Sequence, residues 1–464
     1  MSRAPHTLIV GAGVAGLTIA HQLTAQQRAV TVVERDPFVG GLGRSWHYGK
    51  FHFDVGPHRF HTENPRVADF IRQILQEEAI EIPRLSGARM FGKFHEWPLR
   101  PSVLLSMPIG MMVRCAIDLL HRPKVEGESF EADVLNKYGR TLYEVFFKPY
   151  TEKFLFHSPA ELHRDWARAG VNRAVIDKRA SADTLWSLLR TTFLPKPVET
   201  MFLYPPTGVG RFSDRLDEVI RERGGQVKLG APVEAVHVEG DRIVGVTAGG
   251  SRIDCDHIVW TAPMTKLNEL VGIEGITLSY LSTIFYNFEV KGPLKHNFQW
   301  TYHGGDEIFS RVSAPTAFAP TTAPAGTHGL CVEFTCRKGD ERWTHPERFT
   351  DAIVKDLVRT GTIDSPAAIL DVHIEPVPET YPIYTLDYLD QLTRNLKALG
   401  QYRNLLLAGR SGRFWYNNMD HSIGQGLTMS DKILRGQMLA EIDDNDREFW
   451  ADAQTAAPAP ASAS

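Results

Sequence analysis

A glycine-rich turn near the N-terminus constrains the fold of this chain more than any other feature. The sequence GAGVAG occupies residues 11–16, directly after the apolar run Thr7–Val10 and directly before helical periodicity over Leu17–Ala25. Glycines at this spacing permit a tight turn and a close approach of the backbone to a pyrophosphate, whose charge favours the N-terminus of the following helix. The pattern predicts a strand, a turn and a helix that bind a dinucleotide through Gly11, Gly13 and Gly16.

A second strand and an acidic residue follow this turn. Val30–Val33 is a continuous β-branched run, which is typical of a strand buried in a parallel sheet. Glu34 ends that run 21 residues after Gly13, where a carboxylate can accept hydrogen bonds from ribose hydroxyls. A glycine turn without a ligand explains the glycines alone, but not the strand, the helix and the acid together. The sequence therefore predicts an α/β fold with a Rossmann-type domain.

Further elements are predicted from periodicity. Residues 226–260 alternate between apolar and polar positions and contain turn pairs, which predicts a small antiparallel meander that returns to a buried strand. The other predicted elements are a helix over Asn64–Ala79, a mainly helical stretch over Pro101–Leu194, strands within Thr277–Thr335, a strand over Asn404–Ala408 and a closing helix over Ile423–Ala440.

Composition excludes several classes of protein. The chain has 464 residues, a formal charge of −4 and no basic tract, which argues against nucleic acid as a partner. Four cysteines are too few for a secreted disulfide framework, so we expect a cytoplasmic protein. The most apolar long window, residues 101–120, contains Pro108, Arg114 and Asp118, and we expect no transmembrane segment.

A cluster of histidines in the sequence suggests a metal site. Its members are His47, His52, His58 and His61. No carboxylate or cysteine set stands beside them at ligand spacing, so we expect no metal.

Three other segments resemble those of FAD-dependent flavoproteins of the amine oxidase and glutathione reductase type. Residues 35–44 carry a second glycine cluster, residues 256–263 look like the returning strand of those proteins, and residues 406–410 look like their terminal strand and turn. The resemblance implies FAD as the cofactor. It also implies a glutathione-reductase-like FAD-binding domain with an inserted α+β substrate domain. The further cofactor-binding residues that we assign are Arg35, Gly41, Gly43, Arg44, Val233, Gly409 and Arg410.

Residues 53–62, with the sequence FDVGPHRFHT, narrow the resemblance. They are similar to the GPHIFHT-type segment of UDP-galactopyranose mutases, in which the first histidine lies beside the isoalloxazine, and here that residue is His58. Residues 147–153 resemble the YTEK segment that mutases share with protoporphyrinogen-oxidase-like relatives. Arg311 lies in an F-x-R segment, and Tyr381 begins a Y-P-x-x-T segment. The closing G-R-x-G…Y…D-H-S block contributes Tyr416, Asp420, His421 and Ser422.

This resemblance implies an enzyme that interconverts the pyranose and furanose forms of a nucleotide sugar on reduced FAD. Arg311, with Tyr381 and Tyr416, would neutralise the departing diphosphate, because a planar guanidinium pairs two phosphate oxygens and stays charged. His58 would form a hydrogen bond with the flavin edge, and we also assign Asp420, His421 and Ser422 to cofactor binding. NAD(P)H or another reductant is a further expected partner.

One position departs from the mutase pattern and keeps other functions open. Related sequences have an arginine four residues after the tryptophan of an Asp-Trp dipeptide, here Asp165-Trp166, but this chain has Gly170 there, with Arg168 and Arg173 nearby. In mutases that arginine clamps the diphosphate. The alternatives are an oxidoreductase of the amine oxidase or protoporphyrinogen oxidase type, which removes hydride from a substrate C–H, and a non-catalytic binding protein of the same fold.

The order of these segments divides the chain into domains. We expect a discontinuous FAD-binding domain of residues 1–90, 200–263 and 391–445. Residues 91–199 form the helical part of the substrate domain and residues 264–390 its mixed-sheet part. Residues 446–464 form a tail that is expected to be largely disordered, because residues 451–464 are rich in Ala, Pro and Ser.

Overall fold

The structure is a computed structural model that describes residues 5–97, 108–121, 124–166 and 201–436. The described strands, in chain order, are β1 (His6–Val10), β2 (Ala29–Val33), β3 (Ser45–Tyr48), β4 (Phe51–Asp54), β5 (Ile80–Pro83), β6 (Ser86–Met90), β7 (Lys93–Trp97), β8 (Met201–Tyr204), β9 (Gln226–Lys228), β10 (Val233–Glu239), β11 (Arg242–Ala248), β12 (Ser251–Asp254), β13 (His257–Trp260), β14 (Tyr280–Lys291), β15 (Trp300–His303), β16 (Arg311–Ser313), β17 (Thr327–Cys336), β18 (Ile369–Pro382) and β19 (Leu405–Leu407).

The described α-helices, in chain order, are α1 (Val14–Ala25), α2 (Pro65–Leu75), α3 (Ile109–Leu120), α4 (Phe130–Leu142), α5 (Lys148–Leu155), α6 (Arg211–Glu222), α7 (Met264–Val271), α8 (Pro315–Phe318), α9 (Glu341–Thr344), α10 (Thr350–Arg359), α11 (Tyr388–Leu399), α12 (Gly409–Gly412) and α13 (Met419–Leu434).

One sheet is entirely parallel and has the strand order β19-β13-β1-β2-β9. β1 and β13 are buried along their length except for the partly buried His257, and their residues are mostly apolar, as expected for a parallel sheet covered on both faces. The glycine turn follows β1, and Glu34 follows β2, so both lie at the C-terminal edge of the sheet. This arrangement confirms the predicted Rossmann-type fold.

A three-stranded antiparallel meander, β10-β11-β12, leads into β13. Gly240, Gly249 and Gly250 occupy its two turns with positive φ angles of 60°, 54° and 71°. The predicted meander is confirmed from Val233 onward, and so is the buried strand that follows it. The first residues of the predicted stretch, Gln226–Lys228, instead pair with β2 in the parallel sheet.

A second large sheet has the strand order β18-β14-β17-β16-β15-β6-β7. Its strands pair antiparallel except for β15 and β6, which are parallel. Tyr302 on β15 pairs with Arg311 on β16, and Arg311 pairs with Glu333 on β17. Residues that pair directly share a face of the sheet, so these three side chains form one row across it.

Two predicted helices differ from the structure at their ends. The closing helix α13 begins four residues earlier than predicted, at Met419, because Asn418 caps it. The helix predicted over Asn64–Ala79 is capped by Asn64 but ends at Leu75, since Gln76 adopts a positive φ of 49°. The strand predicted over Asn404–Ala408 is shortened to Leu405–Leu407.

Some expectations stay untested. The stretch predicted to be mainly helical contains α3, α4 and α5 in its described part, while Arg168, Gly170, Arg173 and the tail 446–464 lie outside the described residues. The division into domains stays a prediction. β6 is the first strand of the second large sheet along the chain, and it begins at Ser86, four residues before the expected domain boundary at residue 90.

The sequence predicts neither a transmembrane segment nor a metal site, and the described residues can be examined for both. Within residues 5–97, 108–121, 124–166 and 201–436, no helix is long and apolar enough to cross a membrane. The same residues contain no group of three or more histidine, cysteine, aspartate or glutamate side chains placed to hold a metal ion. The four cysteines are free thiols, and Cys115, Cys331 and Cys336 are buried.

Candidate active site

The three glycines of the first turn have different surroundings. A Cβ at Gly11, whose φ is +103°, would lie 2.3 Å from Thr261 Oγ1, and a Cβ at Gly16 would lie 2.2 Å from the Gly11 carbonyl oxygen. A Cβ at Gly13 would meet no other described part of the chain within 4 Å. Gly11 and Gly16 are therefore required for packing, whereas Gly13 faces open space at the N-terminus of α1.

A second glycine turn lies on the first. The N–H of Gly40 donates to the carbonyl oxygen of Ala12 at 2.8 Å, and a Cβ at Gly41 would lie 3.2 Å from the Cα of Gly13. A Cβ at Gly43 would lie 2.8 Å from a methyl group of α1. Both turns therefore border the open space beside Gly13.

Gly409, in a third glycine-containing segment, also packs against α1. Its φ is +77°, and a Cβ there would lie 3.3 Å from the Cβ of Ala15 in α1. Its N–H donates to Gln425 Oε1 in α13 at 2.6 Å. α12 and α13 are thereby held against the N-terminal half of α1.

Glu34 lies beside the first turn. Its Oε2 accepts from the N–H of Ala12 at 2.8 Å, and its Oε1 accepts from the N–H of Asp36 at 3.0 Å. Burial raises its pKa, and the two backbone hydrogen bonds oppose that rise. Each carboxylate oxygen keeps a further lone pair for a hydroxyl donor.

The remaining residues that we assigned near Glu34 differ in position. Arg44 donates from Nη1 to the carbonyl oxygen of Gly41 at 3.0 Å and packs over the ring of Phe38 at 4.4 Å. Arg35 instead forms a half-exposed ion pair with Glu379 at 3.3 Å. Val233 begins β10 and lies two residues after Ala231, whose N–H donates to the Glu34 carbonyl oxygen at 2.7 Å.

These residues fit a dinucleotide. No side chain caps the N-terminus of α1 at Gly13, and its first turn holds no acidic residue that would repel a phosphate. The backbone amides and the positive end of the helix dipole thus face the open space beside Gly13. A pyrophosphate suits that space, and a ribose suits Glu34.

His58 lies on a loop against the second large sheet. Its N–H donates to the carbonyl oxygen of Gly56 at 2.8 Å, and a Cβ at Gly56, whose φ is +78°, would lie 3.0 Å from Glu333 Oε1. Burial and the nearby charges of Arg410 and Arg311, with that of the adjacent Arg59, lower the pKa of His58 to about 3. The imidazole is therefore neutral at physiological pH.

Arg311 and Glu333 form a bidentate ion pair. Nε and Nη2 of Arg311 donate to the two carboxylate oxygens of Glu333 at 2.5 and 2.6 Å, and Nη2 also donates to the Tyr381 hydroxyl at 3.0 Å. Glu333 is fully buried. The fork that the sequence analysis assigned to a diphosphate is thus occupied by Glu333, and only Nη1 of Arg311 stays available to a ligand.

The Arg410 side chain joins the end of β18 to the segment before α13. Nη1 donates to the carbonyl oxygen of Thr380 at 3.1 Å, and Nη2 donates to that of Asn417. Its guanidinium lies 5.0 Å from the ring of Tyr416, and Trp166 stacks on Tyr416 at 5.2 Å with an interplanar angle of 10°. The rings of Tyr416 and Tyr381 meet edge to face at 5.3 Å.

The first turn of α13 holds the last assigned residues. His421 Nδ1 lies 3.2 Å from Asp420 Oδ1 and accepts from the N–H of Asn418 at 3.3 Å. Ser422 donates to the side chain of Asn417 at 3.3 Å. Ser422 thus bonds to the residue whose carbonyl oxygen Arg410 binds, which links α13 to Arg410.

Comparison with known proteins decides the family. The sequence profile described as flavin containing amine oxidoreductase matches residues 14–434. The chain belongs to this family. Members are FAD-dependent enzymes, and FAD is the cofactor of this protein.

Individual relatives cover nearly the whole chain. A protein of Klebsiella pneumoniae named as a probable UDP-galactopyranose mutase is 23% identical over 440 residues, which cover 92% of this chain and 94% of the relative. The crystal structure of a reduced UDP-galactopyranose mutase superposes with a TM-score of 0.81 at 20% identity and covers 95% of this chain and 97% of its own.

A protein from Exiguobacterium, provisionally named a protoporphyrinogen oxidase, superposes with a TM-score of 0.73 at 19% identity, covering 94% of this chain and all of its own. These similarities confirm the predicted fold, family and cofactor. The individual site residues stay predictions.

Two residues of the site were missed by the sequence analysis. Glu333 is the only acid within the apolar strand β17, and an isolated acid in a buried strand is a signal for a charge partner. Arg59, which follows His58, gives no periodic signal, because its role depends on the sheet that packs against it.

Proposed function

We propose that this enzyme interconverts the pyranose and furanose forms of a nucleotide sugar on reduced FAD. One observation supports the proposal most strongly. Arg410 has no carboxylate partner within hydrogen-bond distance in the described part of the chain, although it packs beside Tyr381 and Tyr416. A partly buried cation without a counter-ion favours an anionic ligand.

The charges around His58 also favour an anionic ligand. Arg311 and Glu333 neutralise each other, and His58 is neutral because its pKa is lowered to about 3. Arg410 therefore leaves an excess of positive charge in this group. A diphosphate supplies the opposite charge.

The side chains divide the remaining tasks. When bound, FAD supplies the covalent and redox chemistry. Neutral His58 can donate or accept one hydrogen bond at the flavin edge without introducing a charge. Arg410 and Nη1 of Arg311 bind phosphate oxygens, while the hydroxyl of Tyr381 accepts from Arg311 and orients it.

An oxidoreductase is the second candidate, and the aromatic wall of the site favours it. The ring of Phe154 lies 5.1 Å from that of Tyr381 and 6.1 Å from that of Trp166, which stacks on Tyr416. Such a wall suits an apolar substrate that loses hydride from a C–H bond.

Product analysis separates the two functions. The dithionite-reduced holoenzyme is incubated with a panel of UDP- and TDP-sugars, and products are separated by anion exchange and weighed by mass spectrometry. We expect a product of unchanged mass from one sugar, formed by the reduced enzyme and not by the oxidised enzyme. The oxidised enzyme kept in air is the control.

Two results would overturn the proposed mutase function. One is a substrate that loses two hydrogens while oxygen is consumed, which would establish the oxidoreductase. The other is an absence of measurable UDP and TDP affinity in both redox states. NAD(P)H is tested in the same assay as a replacement for dithionite.

A further inference from the structure

We propose that Arg59 is a specificity-determining residue that binds a diphosphate oxygen of the substrate. The inference rests on the proposed function. Arg59 stands where the GPHIFHT-type segment has isoleucine, and it directly follows His58.

The first observation is how Arg59 is held. Its guanidinium carbon lies 4.9 Å from the ring of Trp300 and 5.3 Å from that of Phe202. Cation–π contacts of this kind hold the guanidinium in place without using its N–H groups as hydrogen-bond donors.

The second observation is how few partners Arg59 has. Nη1 donates to the carbonyl oxygen of Pro57 at 3.4 Å, which is a long bond, and the buried Nε has no partner in the described residues. No carboxylate oxygen within the described ranges lies inside 4.0 Å of its guanidinium nitrogens. A guanidinium carries five N–H donors, so most of them are left for a ligand.

The third observation is the surrounding charge. Withdrawal from water is the largest effect that disfavours the charged form of Arg59, and the nearby Arg84 and Arg311 add to it. Tyr302 and Asp420 are the neighbours that favour the charged form. An oxyanion ligand would relieve both unfavourable effects.

The fourth observation places Arg59 in the same cleft as Arg311. Trp300, which stacks on Arg59, and Tyr302 are two residues apart on β15 and so share a face of the sheet. Tyr302 pairs with Arg311 in register and its ring lies 6.0 Å from that guanidinium. The two arginines therefore lie on one face, one beside each aromatic residue.

The mutase pattern explains why such a residue is needed. The position that holds the clamping arginine in that pattern is Gly170 in this chain. Arg311 offers only Nη1, because Glu333 occupies its fork. Arg59 supplies a fork that no carboxylate occupies, and planar forks bind phosphate oxygens in pairs.

The test compares ligand affinity in three variants. Arg59→Met keeps the apolar stem, Arg59→Lys keeps the charge without the fork, and Arg72→Met removes an exposed arginine of α2 as a matched control. UDP, uridine and inorganic pyrophosphate are titrated into the reduced holoenzyme by calorimetry, with FAD content and melting temperature measured for each variant.

We expect Arg59→Met to weaken UDP and pyrophosphate binding about tenfold to a hundredfold, and to leave uridine binding and FAD content unchanged. Arg59→Lys should recover part of the loss, and Arg72→Met should bind as the wild type does. Equal weakening of uridine and UDP would show a structural role and overturn the proposal. UDP affinity that does not change in Arg59→Met would also overturn it, with the proposed function intact.

Failure of the proposed function gives a different pattern. Wild-type protein without UDP affinity, but with pyrophosphate affinity that depends on Arg59, would retain the oxyanion site and overturn the nucleotide-sugar substrate. Absence of binding to all three ligands would overturn both.

Discussion

At the scale of single residues, the difference between Gly13 and its neighbours has the clearest consequence. Gly11 and Gly16 leave no room for a Cβ, at 2.3 and 2.2 Å from other atoms, whereas Gly13 has no described neighbour within 4 Å. Its backbone angles, φ −74° and ψ 174°, are open to any residue. The protein therefore tolerates a side chain at Gly13 that the cofactor does not.

We expect Gly13→Val to fold and to lose FAD, because the new side chain occupies the space of the pyrophosphate. The flavin absorbance per protein should fall sharply, while the circular dichroism of the purified apoprotein stays native. Gly16→Val is the control, since its clash with the Gly11 carbonyl oxygen should prevent folding. Full flavin occupancy in Gly13→Val would place the cofactor elsewhere.

The ion pair of Arg311 and Glu333 makes a second prediction. Removing one partner leaves a buried charge, so Arg311→Met should lower the free energy of unfolding by about 3–5 kcal/mol. The double variant Arg311→Met/Glu333→Met should recover most of that loss, because it buries no charge. Urea unfolding measures the free energy of unfolding of the two single variants and of the double variant. A loss in the double variant that equals the sum of the two single losses would contradict the pairing.

At the scale of elements, Asp54 joins the β3–β4 hairpin to the segment after β8. Its Oδ1 accepts from Ser45 Oγ at 2.6 Å and from the N–H of Val209 at 2.9 Å, and its Oδ2 accepts from the Tyr204 hydroxyl at 2.7 Å. The carboxyl group is buried, and burial raises its pKa from 3.8 to about 6. The hairpin carries the loop that ends in His58, so this carboxyl group positions the site.

The raised pKa predicts a pH dependence of stability. Between pH 3.8 and about pH 6 the folded state binds the proton that the unfolded state has lost. Stability contributed by Asp54 therefore falls as pH rises through this window, by about 3 kcal/mol in total. The difference in unfolding free energy between wild type and Asp54→Asn, measured by urea at each pH, should show this fall. A difference that is constant from pH 4 to pH 7 would mean that Asp54 is not perturbed.

The elements themselves were largely predictable from the sequence. Val30–Val33 and His257–Trp260 could be identified because strands buried on both faces read as continuous apolar runs. The start of α13 was predicted too late because the three residues directly before Ile423, Asp420–Ser422, are polar, and the helix begins at its cap Asn418 rather than at the start of an apolar periodicity.

The candidate site was predictable only in part. The spacing of Gly11, Gly13 and Gly16 identifies the turn predicted to bind the pyrophosphate, because the local backbone geometry of such a turn requires glycines at that spacing. The pairing of Arg311 with Glu333 was not predictable, since it depends on the register of β16 against β17, which are separated along the chain. A family resemblance names Arg311 but does not show which of its nitrogens are occupied.

At the scale of the whole molecule, Lys153 connects the helical segment to the large sheet. Its Nζ donates to the carbonyl oxygens of His303, Gly305 and Glu307 at 2.5, 3.1 and 3.2 Å. These residues form the turn between β15 and β16, which places Arg311. Burial lowers the pKa of Lys153 to about 8, although Glu307 and nearby acids oppose that change.

We expect Lys153→Met to lower the free energy of unfolding by about 2–3 kcal/mol, because three carbonyl oxygens lose a charged donor. Lys148→Met on the same helix is the control, since Lys148 is half-exposed and pairs with Glu152 at 4.0 Å, and its loss should stay within about 0.5 kcal/mol. Chemical unfolding measures both variants. Equal effects would show that the turn does not depend on Lys153.

The outer strand of the large sheet has a consequence for self-association. β18 is 14 residues long and, among the described strands, pairs only with β14, so its other side would be a template for strands of a second chain. Pro376 and Pro378 each remove an N–H donor from this strand, and Glu379 turns the backbone with a positive φ of 59°. Asp371 and Glu375 add negative charge along the same strand. The strand therefore protects the protein from edge-to-edge aggregation at high concentration.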